Sequence, residues 1–167
     1  MTSELLTVGQ FLGYRTRDEA VGVVFRLGDR QIDVPADGPD LESLIVSWPG
    51  RVRGSDIGAT VLSAARSRGL VVDLADAWSR ATEFQAVALG RVAAVSTDVQ
   101  HVLVDRNGDL RMVTPLEFSV WVLAPRLYTL AELAEVLRSG GDEIDVLESL
   151  RLLASKNLIA LDEATSG

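Results

Sequence analysis

Residues 101–121 read HVLVDRNGDLRMVTPLEFSVW, and this stretch contains the change from sheet to helix that decides the fold. Residues 101–105 and Leu110–Val113 are short runs rich in apolar and β-branched side chains, which predicts two strands. Asn107-Gly108 lies between them and predicts a type I′ hairpin turn, because both central residues of that turn need positive φ. Pro115 then ends the sheet, since proline cannot donate to a strand ladder.

Outward from this stretch, the sequence predicts a strand upstream over residues 92–96 and three helices downstream. The first helix covers residues 116–123. Thr129 and Glu132 have the spacing of a capping box, which opens the second helix by covering two free backbone amides. Apolar residues at helical spacing mark the third helix: Val146, Leu147, Leu150, Leu153 and Ala154. Asn157 is predicted as a left-handed C-cap before a final strand over residues 158–161.

The first half repeats this pattern in a shorter form. A shift of 80 positions places residues 8–35 on residues 88–115 and aligns six identical residues. The aligned pairs are Asp18/Asp98, Val24/Val104, Arg26/Arg106, Gly28/Gly108, Asp29/Asp109 and Pro35/Pro115. Predicted strands cover residues 12–16, 21–27 and 31–34, predicted helices cover 41–48 and 55–68, and a closing strand covers 70–74.

These patterns predict an α+β fold of two tandem winged-helix-like domains. Each domain has a small antiparallel β-sheet followed by helices, with three helices in the second copy and about two in the first. Residues 1–80 form the first, degenerate copy and residues 81–167 the complete one. Because duplicated modules usually make binding surfaces, the repeat favours a binding function over a catalytic one.

The composition excludes several classes of site. The 167 residues include no cysteine and one histidine, which excludes thiolate chemistry and leaves no histidine cluster for a metal. The net charge of −8 argues against nucleic acid as the main partner, because duplex-binding proteins concentrate Lys and Arg against phosphates. No apolar run is long enough to cross a bilayer, and the N-terminus lacks the positive start of a signal peptide. We therefore expect a cytoplasmic protein with no membrane association, no catalytic residues, no cofactor and no metal.

Two charged clusters were candidates for chemistry. Asp105, Asn107 and Asp109 imitate the start of a calcium loop, but the later glycine and glutamate are missing, so a hairpin turn is the better interpretation. Four arginines flank the remaining helix of the first copy: Arg51, Arg53, Arg66 and Arg68. A solvated face explains these arginines, and an anionic-ligand surface is the functional alternative, since guanidinium groups suit carboxylates.

Residues 101–161 resemble the PqqD-like family, the recognition domains of ribosomal peptide maturation systems. The resemblance is carried by Val102-Leu103-Val104 with Gly108, and by the segments 116–121 (LEFSVW), 129–133 (TLAEL), 146–150 (VLESL) and 153–159 (LASKNLI). It covers about 60 of the 167 residues. The chain departs from the family after the first helix, where Ala124-Pro125-Arg126 replaces an acidic–glycine step.

The resemblance implies that the leader of a precursor peptide adds as an extra strand beside Leu110–Val113, against the third helix, and is presented to a modifying enzyme. The implied peptide-binding residues are Leu110, Arg111, Met112, Val113, Val146, Leu147, Leu150, Arg151 and Ala154. Arg111 and Arg151 are expected to receive acidic groups, while some of the helix residues must face the core. The corresponding surface of the first copy would be residues 31–34 with residues 55–68.

Two other functions remain open at this point. One is a winged-helix regulator that binds nucleic acid, against which the acidic third helix argues. The other is a tandem winged-helix structural adaptor of a larger complex, which would suit the acidity equally well. A homodimer is also compatible with the sequence.

Overall fold

The computed structural model describes residues 4–17, 20–35, 44–46, 48–53, 57–95, 101–126, 129–139 and 145–165. The strands are β1 (Leu5–Thr7), β2 (Gln10–Arg17), β3 (Ala20–Leu27), β4 (Arg30–Pro35), β5 (Arg51–Val52), β6 (Val71–Asp73), β7 (Phe84–Ala88), β8 (Arg91–Val95), β9 (His101–Val104), β10 (Leu110–Val113) and β11 (Ile159–Glu163). The helices are α1 (Ala59–Ser67), α2 (Leu74–Ser79), α3 (Pro115–Leu123), α4 (Leu130–Arg138) and α5 (Val146–Ser155), with a 3-10 turn over Ala124–Arg126. Residues 44–46 are also helical. The chain is therefore α+β, as the sequence predicts.

The strands of the described ranges form small antiparallel sheets. β2, β3 and β4 make one meander, and β8, β9 and β10 make a second. β1 lies between β5 and β6, while β7 pairs with β11. The strands predicted for both meanders and the three helices predicted for the second half are confirmed. The strands β1, β5 and β7 were not predicted, because each is a short run with no local pairing signal.

The two halves of the chain share one hydrophobic core. Val8 forms a parallel bridge with Leu161, and the Gly9 amide donates to the Leu161 carbonyl oxygen at 2.8 Å. The Arg106 guanidinium donates to the carbonyl oxygens of Pro49 and Val46 at 2.6 and 2.7 Å. Burial lowers the pKa of Arg106, and the charge of nearby Asp105 offsets part of that effect. Buried side chains from both halves belong to the same cluster, among them Leu6, Phe25, Leu27, Leu103, Leu150 and Leu158.

A glycine with positive φ lies just before the first strand of each meander. Gly9 and Gly90 have φ of +83° and +79°, a region in which side chains are strained. A Cβ atom on Gly9 would lie 2.1 Å from the Arg26 carbonyl oxygen, and one on Gly90 would lie 2.0 Å from that of Val104. The carbonyl oxygen that approaches the glycine thus belongs to Arg26 in the first meander and to Val104 in the second. A uniform shift of 80 positions matches neither residue pair, because β2 and β3 have eight residues each, whereas β8 and β9 have five and four.

The hairpin turn of the second copy also differs from the prediction. β9 ends at Val104 and β10 begins at Leu110, so residues 105–109 form the connection. Gly108 has a φ of +91°, but the φ of Asn107 is not positive. Among the described residues, Asn157 is the non-glycine residue with a positive φ. A two-residue type I′ turn at Asn107-Gly108 is therefore wrong. The carboxylate of Asp105 organises a longer turn instead.

Local capping signals explain where the helices of the second half begin and end. The capping box of Thr129 and Glu132 is confirmed at the start of α4, and an unpredicted one with Thr114 and Glu117 opens α3. Asn157 takes the left-handed conformation after α5 (φ +61°), which confirms its predicted role as a C-cap. These caps set the directions of the helices that support the β8–β10 meander.

Candidate functional site

β10 is an edge strand, paired with β9 on one side only in the described part of the chain. In the ladder between β9 and β10, Leu110 faces Val104 and Met112 faces Val102. The next pair toward the turn is hydrogen-bonded, since the Asp105 amide donates to the Asp109 carbonyl oxygen at 2.9 Å. Bonded and non-bonded pairs alternate in an antiparallel ladder. The backbone N–H and C=O groups of Leu110 and Met112 therefore point away from β9, toward the open edge.

The same two residues carry exposed apolar side chains. The exposed fractions are 69 % for Leu110 and 58 % for Met112, whereas Val113 is 2 % exposed and faces the core. Val102 and Val104 lie opposite them on β9 and extend the apolar face. An edge strand with exposed apolar residues readily pairs with another chain. β10 thus combines free main-chain groups with an apolar surface.

The other meander has a more polar edge at β4. Its exposed side chains include Gln31 and Asp33, and Pro35 closes its end. Asp33 is held by an ion pair with Arg15, at 3.1 Å. Charged residues and proline protect edge strands against pairing. The surface that the sequence placed over residues 31–34 is therefore a poorer site for strand addition than β10.

Asp105 holds the turn that leads into β10. Its side chain is buried, and one oxygen accepts hydrogen bonds from the amides of Asn107 at 2.8 Å and Asp109 at 3.0 Å. The other oxygen pairs with the Arg111 guanidinium at 2.9 Å. Burial by itself would raise the pKa of Asp105, but these hydrogen bonds and the Arg111 charge outweigh burial, and the pKa is lowered.

This pKa predicts how stability depends on pH. Because the folded pKa of Asp105 lies below the usual value of 3.8, its carboxylate stabilises the fold above that value, and the contribution is lost as pH falls through the folded pKa. We expect Asp105→Asn to destabilise the protein at neutral pH, with a difference from wild type that shrinks between about pH 4 and pH 2. Urea unfolding at several pH values measures this difference. A difference that stays constant over that range would contradict the role given to Asp105.

The two arginines implied as receivers of acidic groups already have partners. Arg111 lies 2.9 Å from Asp105 and 3.2 Å from Asp109. Arg151 lies 3.6 Å from Glu148 on the same helix. Both arginines are half-buried. Neither is a free positive charge at the edge of β10. The apolar residues are therefore the ones available to a ligand at this surface.

The implied peptide-binding residues of α5 divide between core and surface. Val146, Leu150 and Ala154 are buried in the hydrophobic core, and Leu147 is only partly buried against it. Leu152, which is not among the implied peptide-binding residues, is exposed on the same helix. Of the apolar residues implied in peptide binding, Leu110, Met112 and Leu147 thus keep accessible surface. Sequence periodicity alone could not make this distinction, because both faces of α5 carry leucines.

Two of the four arginines considered for an anionic-ligand face have partners within the chain. Arg51 pairs with Glu4 at 2.7 Å, and Arg68 donates to the Ala64 carbonyl oxygen at 3.2 Å. Arg53 and Arg66 are exposed. An anionic-ligand face built from all four would first have to break the ion pair of Arg51.

Other classes of site can be reported for the described ranges only. His101 stacks on Phe118 with ring centroids 4.0 Å apart. No group of three or more potential metal ligands occurs in those ranges. None of the helices within them has the length and apolar character needed to cross a membrane.

Comparison with known proteins gave no relatives: family models, curated proteins and solved structures all lack a match to this chain.

Proposed function

We propose that this chain is a non-catalytic peptide-binding protein that takes an extended peptide as an additional strand on β10. The observation that carries the proposal is the coincidence of outward backbone groups and exposed apolar side chains at Leu110 and Met112. Strand addition draws affinity from main-chain hydrogen bonds and specificity from alternate side chains. Each new hydrogen bond contributes about 0.5–1.5 kcal/mol, and covering the two side chains adds apolar burial.

The resemblance of residues 101–161 to the PqqD-like family gives this peptide an identity. In the proposal it is the leader of a ribosomally synthesised precursor, which the protein presents to a modifying enzyme in the cytoplasm. The acidic net charge of −8 supports a peptide or protein partner over nucleic acid.

The proposal also treats the two halves as related winged-helix-like units with different roles. One similar indole hydrogen bond in each half supports the relation. The indole N–H of Trp48 donates to the Gly9 carbonyl oxygen and that of Trp121 donates to the Leu89 carbonyl oxygen, both at 3.0 Å. The first unit braces the second, since Arg106 in the turn before β10 is anchored on its backbone.

Substitutions at Met112 test the proposal. Peptides would be selected from a displayed library of short random sequences, and their affinity for each variant measured by calorimetry. Met112→Pro removes an outward N–H that the ladder does not use, so we expect the fold to persist and binding to weaken about ten-fold or more. Met112→Ala keeps the N–H but removes the side chain, and should weaken binding about three- to ten-fold.

Leu12→Ala is the matched control, because Leu12 is also exposed but lies on β2 of the other meander. We expect its affinity to equal that of wild type. Backbone NMR spectra of all three variants would verify that the fold is retained. Selected peptides that bind Met112→Pro as tightly as wild type, or that lose the same affinity with Leu12→Ala, would exclude β10 as the binding edge.

A further inference from the structure

A cleft of about 520 Å³ lies where the first meander meets the β7–β11 sheet. Its floor includes Val87 and Ala160, which face each other across the sheet, and its walls include Phe11 and Trp48. The volume is that of a small-molecule site, which is usually an apolar cavity with a few polar groups. The polar groups of this cleft come from strands of both halves.

Asp162 supplies an acceptor inside the cleft. Its residue surface is 8 % exposed, and its Oδ1 accepts hydrogen bonds from the amides of Gly28 and Glu163, both at 2.8 Å. These two bonds fix the position of the carboxylate. Its Oδ2 has no hydrogen-bond partner in the described part of the chain, and this oxygen is not completely buried. Asp162 lines the cleft, so its carboxylate is held in place there with one oxygen available to a donor.

Arg26 supplies donors beside it. Its guanidinium bonds to the Gln10 side-chain oxygen at 3.1 Å and has no carboxylate within ion-pair distance among the described residues. Arg26 and Asp162 both line the cleft, and the Gly28 amide that donates to Asp162 lies two residues after Arg26. A ligand in the cleft can therefore contact both a cation and an anion.

From this arrangement we infer that the cleft binds an apolar α-amino acid, a small molecule with a carboxylate, an ammonium group and an apolar side chain on one carbon. The carboxylate pairs with Arg26, and the ammonium group donates to Asp162. The apolar side chain lies against Phe11, Trp48 and Val87. This site is separate from β10 and does not depend on the peptide proposed to bind there.

The walls of the cleft are fixed before any ligand enters. Trp48 is held by its bond to the Gly9 carbonyl oxygen, and Pro49 by the bond from Arg106. The start of β2 is held by the bond between the Gly9 amide and Leu161. Walls that are already ordered lower the cost of ordering the site on binding, which increases its affinity.

An NMR titration with three related probes tests this inference. The probes are L-phenylalanine, N-acetyl-L-phenylalanine, which lacks the ammonium group, and L-phenylalanine amide, which lacks the carboxylate. We expect L-phenylalanine to give saturable shifts of the Gly28 amide and the Trp48 indole N–H. Each of the other two probes should bind about ten-fold more weakly, because each loses one charge-assisted contact.

Arg26→Gln separates specific recognition from general apolar binding. Arg26 is exposed, so this variant should keep the fold, as its NMR spectrum would verify. It should bind L-phenylalanine about ten-fold more weakly than wild type and bind L-phenylalanine amide with unchanged affinity. The absence of saturable shifts with L-phenylalanine, equal affinity for the three probes, or an unchanged affinity of Arg26→Gln for L-phenylalanine would each overturn the inference.

Discussion

Replacing Gly90 with alanine is expected to lower the free energy of unfolding by about 4 kcal/mol. Gly90 has a φ of +79°, and the new Cβ would lie 2.0 Å from the Val104 carbonyl oxygen. The atom that it meets is backbone, so β8 and β9 must separate to make room. Left-handed strain costs about 1–2 kcal/mol and the forced shift about 1–3 kcal/mol more. Chemical denaturation monitored by circular dichroism measures the change.

Gly108→Ala is the matched control for this prediction. Gly108 has a φ of +91°, but a Cβ there would have no atom within 4 Å. It should therefore cost about 1 kcal/mol, from backbone strain alone. Gly9→Ala should resemble Gly90→Ala, because its Cβ would lie 2.1 Å from the Arg26 carbonyl oxygen. If Gly90→Ala and Gly108→Ala were equally stable, the close approach of β8 and β9 would be wrong.

The second large effect is expected at Lys156, which neutralises a buried carboxylate. Glu117 is buried at the start of α3, and its Oε1 accepts from the Lys156 ammonium group at 2.5 Å. Its Oε2 accepts from the Thr114 amide at 2.6 Å. Lys156→Met keeps most of the aliphatic stem but leaves the carboxylate without its cation. We expect a loss of about 2–3 kcal/mol in the free energy of unfolding, below the cost for a fully enclosed pair because the Lys156 end reaches solvent.

Two further variants isolate the charge effect. In the double variant Glu117→Gln with Lys156→Met, the neutral amide can still accept from Thr114, so part of the lost stability should return. Arg15→Met breaks the exposed pair with Asp33 and should cost less than about 1 kcal/mol. A double variant less stable than Lys156→Met, or a loss at Arg15 as large as that at Lys156, would argue against a buried pair.

Features that depend on neighbouring residues were predictable from the sequence. The Thr129–Glu132 cap and the left-handed Asn157 were confirmed, because each is decided within a few residues of chain. The meander strands were predicted for the same reason. The predictions failed for contacts between residues that are far apart in the sequence. The pairing of β7 with β11 joins residues that are far apart in the sequence, and neither strand carries a signal for its partner.

The candidate site was predictable only in outline. The family resemblance implied an open edge at residues 110–113, but the sequence did not separate exposed Leu110 and Met112 from buried Val113. Asp105 was interpreted as part of a hairpin turn, but its hydrogen bonds to the turn amides follow from burial that no local pattern indicates. The cleft at Asp162 was not predicted, because its residues come from strands of both halves. The positive φ of Gly9 and Gly90 was also not predicted.

Amide hydrogen exchange at β10 tests the central claim most directly, with a peptide selected for binding to the wild-type protein. The free protein should exchange the outward amides of Leu110 and Met112 faster than those of Arg111 and Val113, which bond to β9. At saturating peptide, the account predicts at least about ten-fold slower exchange at Leu110 and Met112, and little change at the other two. Unchanged exchange at Leu110 and Met112 with the peptide bound would contradict it.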